Sequence, residues 1–370
     1  LFIESGSEMK IKEIKCRVLK VPRSSYRWRD GFPRAPAERD AFLLQVTAEN
    51  GVEGYCIGAR LGEVIGRQTE RLLKPQMLGE NALDREKIWQ RLWDMGRMGT
   101  EIVAALSAFD VALWDLAAKS AGVPLYKHLG AYRDKVPAYA STFTQETVED
   151  YEPLARDCVA RGYKAIKLHV FGDVKKDIEA CRLVRETVGD DIELMLDASA
   201  AYNFEEALWA GRELEKLNFY WFEEPMRDYE MTSLQELHRR LEINLCVAET
   251  SWDSLFDVAN HIAQKTGRMM HATWYRKGGI TGLLKIAHTC EAFGMMVQLH
   301  HGEIPMIHAG CAIKNNKYVE ILVPEEGAHL CLATPPIVPD EEGCVRPPEG
   351  PGLGYELNWD EIEACTVGEV

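Results

Sequence analysis

From Val136 onward the chain is cyclic. A short apolar run, a polar break and an amphipathic stretch recur about eight times, at roughly 25 to 30 residues per unit. The apolar runs fall near Val136 to Ser141, Ala165 to His169, Glu193 to Asp197, Tyr220 to Glu223, Leu245 to Glu249, Met269 to Thr273, Met296 to His300 and Tyr318 to Ile321. Helical periodicity fills the gaps, for example Val148 to Ala160, Val174 to Glu186, Phe204 to Leu217 and Thr281 to Phe293. Such a strand-helix alternation predicts a (β/α) barrel.

Ahead of the barrel, residues 1–8 read as an addition before Met9, whose stretch Met9 to Ile14 alternates as a strand does. The strand-like pattern runs to about Gly58 and is broken by a polar aromatic loop carrying Tyr26, Trp28 and Arg29, a candidate lid. From about Arg67 to Lys119 the period is helical, ending in Ala104 to Leu116, which is rich in small residues and suited to close packing; Gly122-Val123-Pro124 stops it. After Pro324 the chain is rich in loops, Pro and Gly, and is expected to pack back on the N-terminal region.

Charge narrows the function classes. The formal net charge is −15, and no Lys/Arg run with interleaved aromatics appears, which argues against nucleic-acid or anionic-membrane partners. An anionic substrate would therefore have to be drawn by a local cluster of cations. No run of about 18 apolar residues and no secretory pattern is present, so a cytoplasmic address is expected. The ten cysteines show no C-x-x-C and no paired spacing, and read as reduced, mostly buried thiols.

Active sites of such barrels lie at the C-terminal ends of the strands. There the chain places Lys167 and His169, Asp197, Glu223 with Glu224, Glu249, Thr273, His300 with His301, and Glu320. Lys167 and His169 share a parity, so both point into the barrel. One carboxylate at a strand end is ordinarily a helix cap or turn residue. Three in phase on successive strands, Asp197, Glu223 and Glu249, cannot all stay ionised without a cation between them. All-oxygen ligation suits Mg²⁺ better than zinc, which favours His or Cys. His271 alternates with Met269 and Thr273 and reads as a core or rim histidine. His301, Glu303 and His308, after the seventh strand, are weaker candidates for touching substrate, and Asp110 and Asp115 read as structural.

The order of these residues resembles the mandelate racemase/muconate lactonizing enzyme family of the enolase superfamily. The resemblance is carried by Ala105-Leu106-Ser107-Ala108-Phe109-Asp110-Val111-Ala112-Leu113-Trp114-Asp115, Ile166-Lys167-Leu168-His169, Leu196-Asp197-Ala198, Trp221-Phe222-Glu223-Glu224-Pro225, Ala248-Glu249, Gly278-Gly279-Ile280-Thr281 and Pro351-Gly352-Leu353-Gly354. It implies a modified (β/α)7β barrel under an α+β cap. The cap is expected from residues 9–133, the barrel from 134–323, and a return to the cap from 324–370. It further implies one Mg²⁺ per subunit on Asp197, Glu223 and Glu249, a small carboxylate substrate, a symmetric homo-oligomer, and abstraction of the proton α to the carboxylate. Lys167 matches the first lysine of the family's K-x-K, which neutralises the enolate, and Glu320 the eighth-strand acid that hydrogen-bonds the substrate carboxylate.

Three positions depart from the family pattern. The second lysine is His169, which is chemically mild, because histidine starts near pKa 6.5 and needs no large shift to act as a base. The Asp-x-Asn of the third strand is Asp197-Ala198-Ser199, where Ser199 can still hydrogen-bond a substrate hydroxyl. The sixth-strand acid or base is Thr273, so His300 lacks the carboxylate that would raise its pKa and is better suited to protonate a leaving group. The expected reaction is β-elimination from a sugar acid or similar hydroxy-carboxylate, a dehydration or a cycloisomerisation. His169 takes the α proton, or Lys167 does if the histidine only orients, and His300 serves the departing oxygen. Tyr26, Trp28, Arg29 and the loop around Ile57, Arg60 and Leu61 would select substrate, with Ser199, Thr273 and His301 on the wall. The rivals are a racemase or epimerase with His169 and His300 as opposed bases, and a metal-binding homologue without catalysis.

Overall fold

The computed structural model describes residues 9–23, 26, 29, 36–98, 102–250, 254–300, 303–323, 331–334 and 337–370. Trp28 and His301 lie outside them. Three long strands open the chain: β1 (Ile11–Pro22), β2 (Glu38–Ala48) and β3 (Glu53–Gly58). Eight more follow: β4 (Val136–Thr142), β5 (Ala165–His169), β6 (Glu193–Asp197), β7 (Phe219–Glu223), β8 (Asn244–Val247), β9 (Met269–Ala272), β10 (Met296–Leu299) and β11 (Val319–Val323). The parallel order β4 to β11 closes on itself, because β11 pairs with β4 over Val319 to Val323 and Ala138 to Thr142. Seven helices connect these eight strands, from Tyr151–Ala160 to Ile304–Ala312, giving a (β/α)7β barrel.

Local chemistry sets the element ends. Asp173 caps the helix Val174–Val188 by accepting from the backbone N–H groups of Lys175 and Lys176 at 3.0 and 3.2 Å. Asn203 and Glu206 close a reciprocal capping box on Phe204–Lys216. The barrel strands are nearly wholly buried, as expected of a parallel sheet covered outside by helices and filled inside by side chains. Tyr139, Ala165, Met195, Trp221, Cys246, Met269 and Tyr318 form the apolar floor beneath the charged layer.

The short strand β12 (Cys344–Val345) lies antiparallel on β4, and β13 (Thr366–Glu369) lies antiparallel on β1. The first sheet therefore runs β13-β1-β2-β3. Its helix Val103–Ser120 joins it to the barrel, and the small residues explain how. A Cβ on Gly54 would stand 2.0 Å from the Ala112 carbonyl oxygen, so β3 can lie this close to the helix only with glycine there. On the other side Asp110 accepts from Thr281 N and Oγ1 at 2.9 and 2.6 Å, and Trp114 Nε1 donates to Thr281 Oγ1 at 2.9 Å. Gly279, at φ +73, leaves space that a Cβ would deny, 2.3 Å from Asp110 Oδ2. Asp115 accepts from Tyr55 N and Leu353 N, tying the same helix to β3 and to the C-terminal segment. Both aspartates are thus structural, as expected. All ten cysteines are free, and no helix among the described residues is long and apolar enough to cross a membrane.

Candidate active site

At the C-terminal ends of the barrel strands a cavity of about 220 Å³ opens, lined by Arg60, His169, Asp197, Ser199, Ala200, Glu224, Arg227, Glu249, Thr250 and His300. Beneath it Lys167 is fully buried. Its Nζ lies 2.9 Å from Glu223 Oε1, 3.2 Å from Glu320 Oε1 and 3.8 Å from Asp197 Oδ2, and sits 5.4 Å from the centre of the Tyr139 ring. Burial opposes its charge, but Glu223, Glu320, Tyr139 and Asp197 together hold its pKa well above the usual lysine value. Lys167 is a fixed cation in this arrangement.

His169, two residues on, points the same way as Lys167. Its Nδ1 lies 2.5 Å from the carbonyl oxygen of Thr142 and its Nε2 3.0 Å from Asp197 Oδ2. The carbonyl only accepts, so Nδ1 keeps its hydrogen; Nε2, facing the Asp197 carboxylate, bears the titrating proton and is the basic atom once that proton is lost. The Tyr151 hydroxyl donates to the His169 carbonyl at 2.5 Å and fixes the strand end. Burial lowers the His169 pKa, and the adjacent Asp197 carboxylate more than offsets this, so the pKa lies above 6.5.

The carboxylates differ in how they reach the cavity. Asp197 and Glu223 follow the alternation of their strands, in phase with Met195 and Trp221 of the floor. Glu249 does not. Cys246 faces the interior, so simple alternation would turn Glu249 outward; Ala248, at φ +72, takes a left-handed step that redirects the chain. Asp228 holds that step by accepting from Ala248 N and Thr250 N, both at 2.8 Å. β8 accordingly ends two residues before the expected Glu249.

Ligand atoms of Glu223, Glu249 and His271 lie within 4.8 Å of one another. The sequence pointed instead to Asp197, Glu223 and Glu249. Asp197 Oδ1 accepts from Ser199 N at 2.6 Å and Oδ2 lies 3.0 Å from His169 Nε2, while its charge still bears on Glu249. His271, read from sequence as a core or rim histidine, lies inside the barrel with Nε2 3.2 Å from Glu223 Oε1. Glu249 is pushed up to about 7 by burial, with His271 opposing and the charges of Asp197 and Glu223 adding to the rise. That crowding of buried negative charge is what a hard divalent cation relieves, so the donor set fits one.

Across the cavity, His300 has Nε2 at 3.5 Å from Glu249 Oε1 and 3.6 Å from Glu320 Oε2. Its Nδ1 faces the Tyr275 hydroxyl at 3.5 Å, where the family pattern would put a carboxylate. Burial holds its pKa well below 6.5, against the pull of Glu320 and with help from His271, Lys167 and Arg60, so the resting imidazole is neutral. β10 and β5 are separated on the closed barrel by β11 and β4, which sets His300 and His169 on different sides of the cavity.

Other expectations fare unevenly. Arg29 reaches the site, its Nε donating to the Ser199 carbonyl at 3.3 Å. Tyr26 stacks on Phe143 with ring centres 4.4 Å apart and is not among the cavity-lining residues. Thr273 is buried, does not line the cavity, and its hydroxyl has no hydrogen-bond partner among the described residues. Ile57 packs on the cap cluster of Leu19, Val21 and Leu43 rather than the cavity, whereas Arg60 lines it. His308 is structural: Tyr126 N donates to its Nδ1 at 3.1 Å and its Nε2 donates to the Leu353 carbonyl at 3.0 Å. Arg227 and Asp228 were missed, although Arg227 is the one cation in the short stretch after Glu223-Glu224-Pro225.

Residues 150–361 match the enolase C-terminal domain-like family and residues 35–130 the mandelate racemase/muconate lactonizing enzyme N-terminal domain. The chain is 30% identical over 367 residues to 3,6-anhydro-α-L-galactonate cycloisomerase of Streptomyces coelicolor, covering 97% of this chain and 100% of that protein. The structure of a D-glucarate dehydratase from Agrobacterium tumefaciens complexed with magnesium superposes with a TM-score of 0.90 at 34% identity, over 98% of this chain and 100% of that one. A racemase from Streptomyces coelicolor with bound magnesium gives 0.87 at 26% identity, over 96% and 100%.

Proposed function

The chain belongs to the mandelate racemase/muconate lactonizing enzyme family of the enolase superfamily and is an enzyme; from that premise we propose that it is a Mg²⁺-dependent lyase acting on a sugar acid or related hydroxy-carboxylate. The observation that carries this reading is the pair of imidazoles, His169 and His300, lining one cavity beside a crowded carboxylate cluster. The cavity's size suits a small acid rather than a nucleotide cofactor or polymer. In this reading residues 134–323 carry the chemistry, and residues 9–133 with 324–370 cover it.

Asp197, Glu223 and Glu249 would hold the cation. When bound, Mg²⁺ supplies Lewis acidity toward a substrate carboxylate, lowering the cost of the charge that develops there. Lys167, held cationic, adds a fixed positive charge below the same point. Were Asp197 engaged as a ligand, its pull on the His169 proton would weaken, and Nε2, the nitrogen not held by Thr142, would take the α proton. The ion pairs of Lys167 with Glu223 and Glu320 favour His169 over the lysine as the base.

His300 serves the departing β oxygen. Its low pKa makes its protonated form a strong acid but a scarce one near neutrality, so elimination draws on a small imidazolium population. If the oxygen leaves as water the enzyme is a dehydratase; if it belongs to a ring the net reaction is a cycloisomerisation. A second reading, racemisation, is favoured by the neutral state of His300, since two imidazoles on different sides of the cavity can exchange base and acid roles.

A screen of acid sugars for Mg²⁺-dependent 2-keto-3-deoxy products tests the lyase reading. Product from at least one acid, lost on adding EDTA, is expected. Interconversion of stereoisomers without elimination would replace it with the racemase.

A further inference from the structure

We propose that the substrate carries a second carboxylate at the end remote from the reacting carbon, and that Arg227 and Arg60, with Arg29 beside them, form its receptor. This rests on the reading above for the site itself and adds the substrate's subclass.

Three observations support it. Arg60 from the cap and Arg227 from the segment after β7 line the same cavity as His169, Asp197, Glu249 and His300. The third guanidinium belongs to Arg29, which donates to the Ser199 carbonyl on the cavity wall. It is near enough to Arg227 that, besides partial burial, the neighbouring charge lowers its pKa. Three positive charges thus converge in a chain whose net charge is −15.

Lys167 cannot be counted with them, because its charge is engaged by Glu223 and Glu320. Among the described residues, neither Arg60 nor Arg227 has a carboxylate within ion-pair distance. Arg60 lies in the field of Glu249 and Glu303, but Glu303 accepts from Trp274 Nε1. Of the other acids of the lining, Asp197 faces His169 at 3.0 Å and Glu224 accepts the Thr250 hydroxyl at 3.0 Å.

An uncharged polyol tail would be met by neutral donors such as Ser199 and Thr250 and would give no reason to gather guanidinium groups. Guanidinium is the side chain that matches a carboxylate with two parallel hydrogen bonds. A dicarboxylate accounts for both groups of positive charge: one carboxylate toward the cation and Lys167, the other toward the arginines that line the same cavity. It also supplies the local attraction an acidic protein needs to capture an anion.

The test is calorimetric titration of the full-length, Mg²⁺-loaded His169→Asn protein, which binds without turnover, with the pairs D-glucarate/D-gluconate and galactarate/D-galactonate. At least one diacid is expected to bind about 10-fold or more tightly than its monoacid. That advantage should fall to about 2-fold or less on adding Arg227→Gln, and likewise with Arg60→Gln. Equal affinities within both pairs, an advantage that survives both arginine changes, or tighter binding of 6-phospho-D-gluconate than of either diacid would overturn the proposal. The lyase reading is judged separately, by turnover of the wild-type protein. Arginine-dependent diacid binding without turnover would leave the subsite standing and remove the lyase; elimination from monoacids and diacids alike would do the reverse.

Discussion

The Nδ1 of His169 is 2.5 Å from the carbonyl oxygen of Thr142, on the neighbouring strand β4. This contact selects the tautomer, and with it the atom that can act as a base. The prediction is spectroscopic. At pH 9, ¹⁵N NMR of the imidazoles should show His169 protonated at Nδ1 and bare at Nε2. The opposite tautomer would mean that His169 only orients.

Asp228 touches no expected ligand atom, yet it accepts from the backbone N–H groups on both sides of Glu249 and holds Ala248 in a left-handed conformation. Asp228→Ala should therefore weaken Mg²⁺ binding about 10-fold or more, as loss of a ligand's support commonly does. Calorimetry of Mg²⁺ binding reads this directly. Unchanged affinity would show that Glu249 is aimed by something else.

Burial and the charges of Asp197 and Glu223 push Glu249 up to about 7, against His271, when no cation is bound. Ligation requires the carboxylate form, so binding must expel whatever proton Glu249 holds. Titrations in buffers of different ionisation enthalpy should show proton release on Mg²⁺ binding that is largest below pH 7. Release should vanish above about pH 8.5, where affinity levels off. Release independent of pH would place the proton elsewhere.

His308 offers a pH effect on stability away from the site. It is fully buried between Tyr126 N and the Leu353 carbonyl, and burial lowers its pKa to about 4. The unfolded chain takes up this proton below about 6.5 and the folded protein only near 4. The stability contributed by the neutral form is therefore complete above pH 6.5 and lost as pH falls to 4, by about 3 kcal/mol. His308→Gln can still accept from Tyr126 and donate to Leu353, so its unfolding free energy should fall less over that interval. Parallel pH dependence in the two proteins would exclude His308 as a source.

Where the sequence was readable, regular alternation was the reason. β5 and β6 occupy the expected residues, and Lys167 with His169, sharing one parity, both enter the barrel. The capping helix was readable from its small residues, and the structure adds why Asp110 and Gly279 belong together. Legibility stopped where the backbone leaves the strand. Ser199, Ala200, Glu224 and Ala248 all have positive φ, so parity no longer says which way the next side chain points. Thr273, one residue beyond β9, was expected on the wall and is not there. His271 shows the other limit: parity does point it inward, but only the three-dimensional packing sets it against Glu223 and Glu249. Arg227 acquires a role only when its loop is seen beside Arg60 of a different domain.

The most direct measurement of the chemistry is solvent deuterium exchange by two variants on a turned-over acid. In D₂O with Mg²⁺, His300→Asn should exchange the α hydrogen while forming little or no product, because the base remains and the acid is gone. His169→Asn should neither exchange nor eliminate. Exchange that persists in His169→Asn and disappears in His300→Asn would contradict the assignment of His169 as the base.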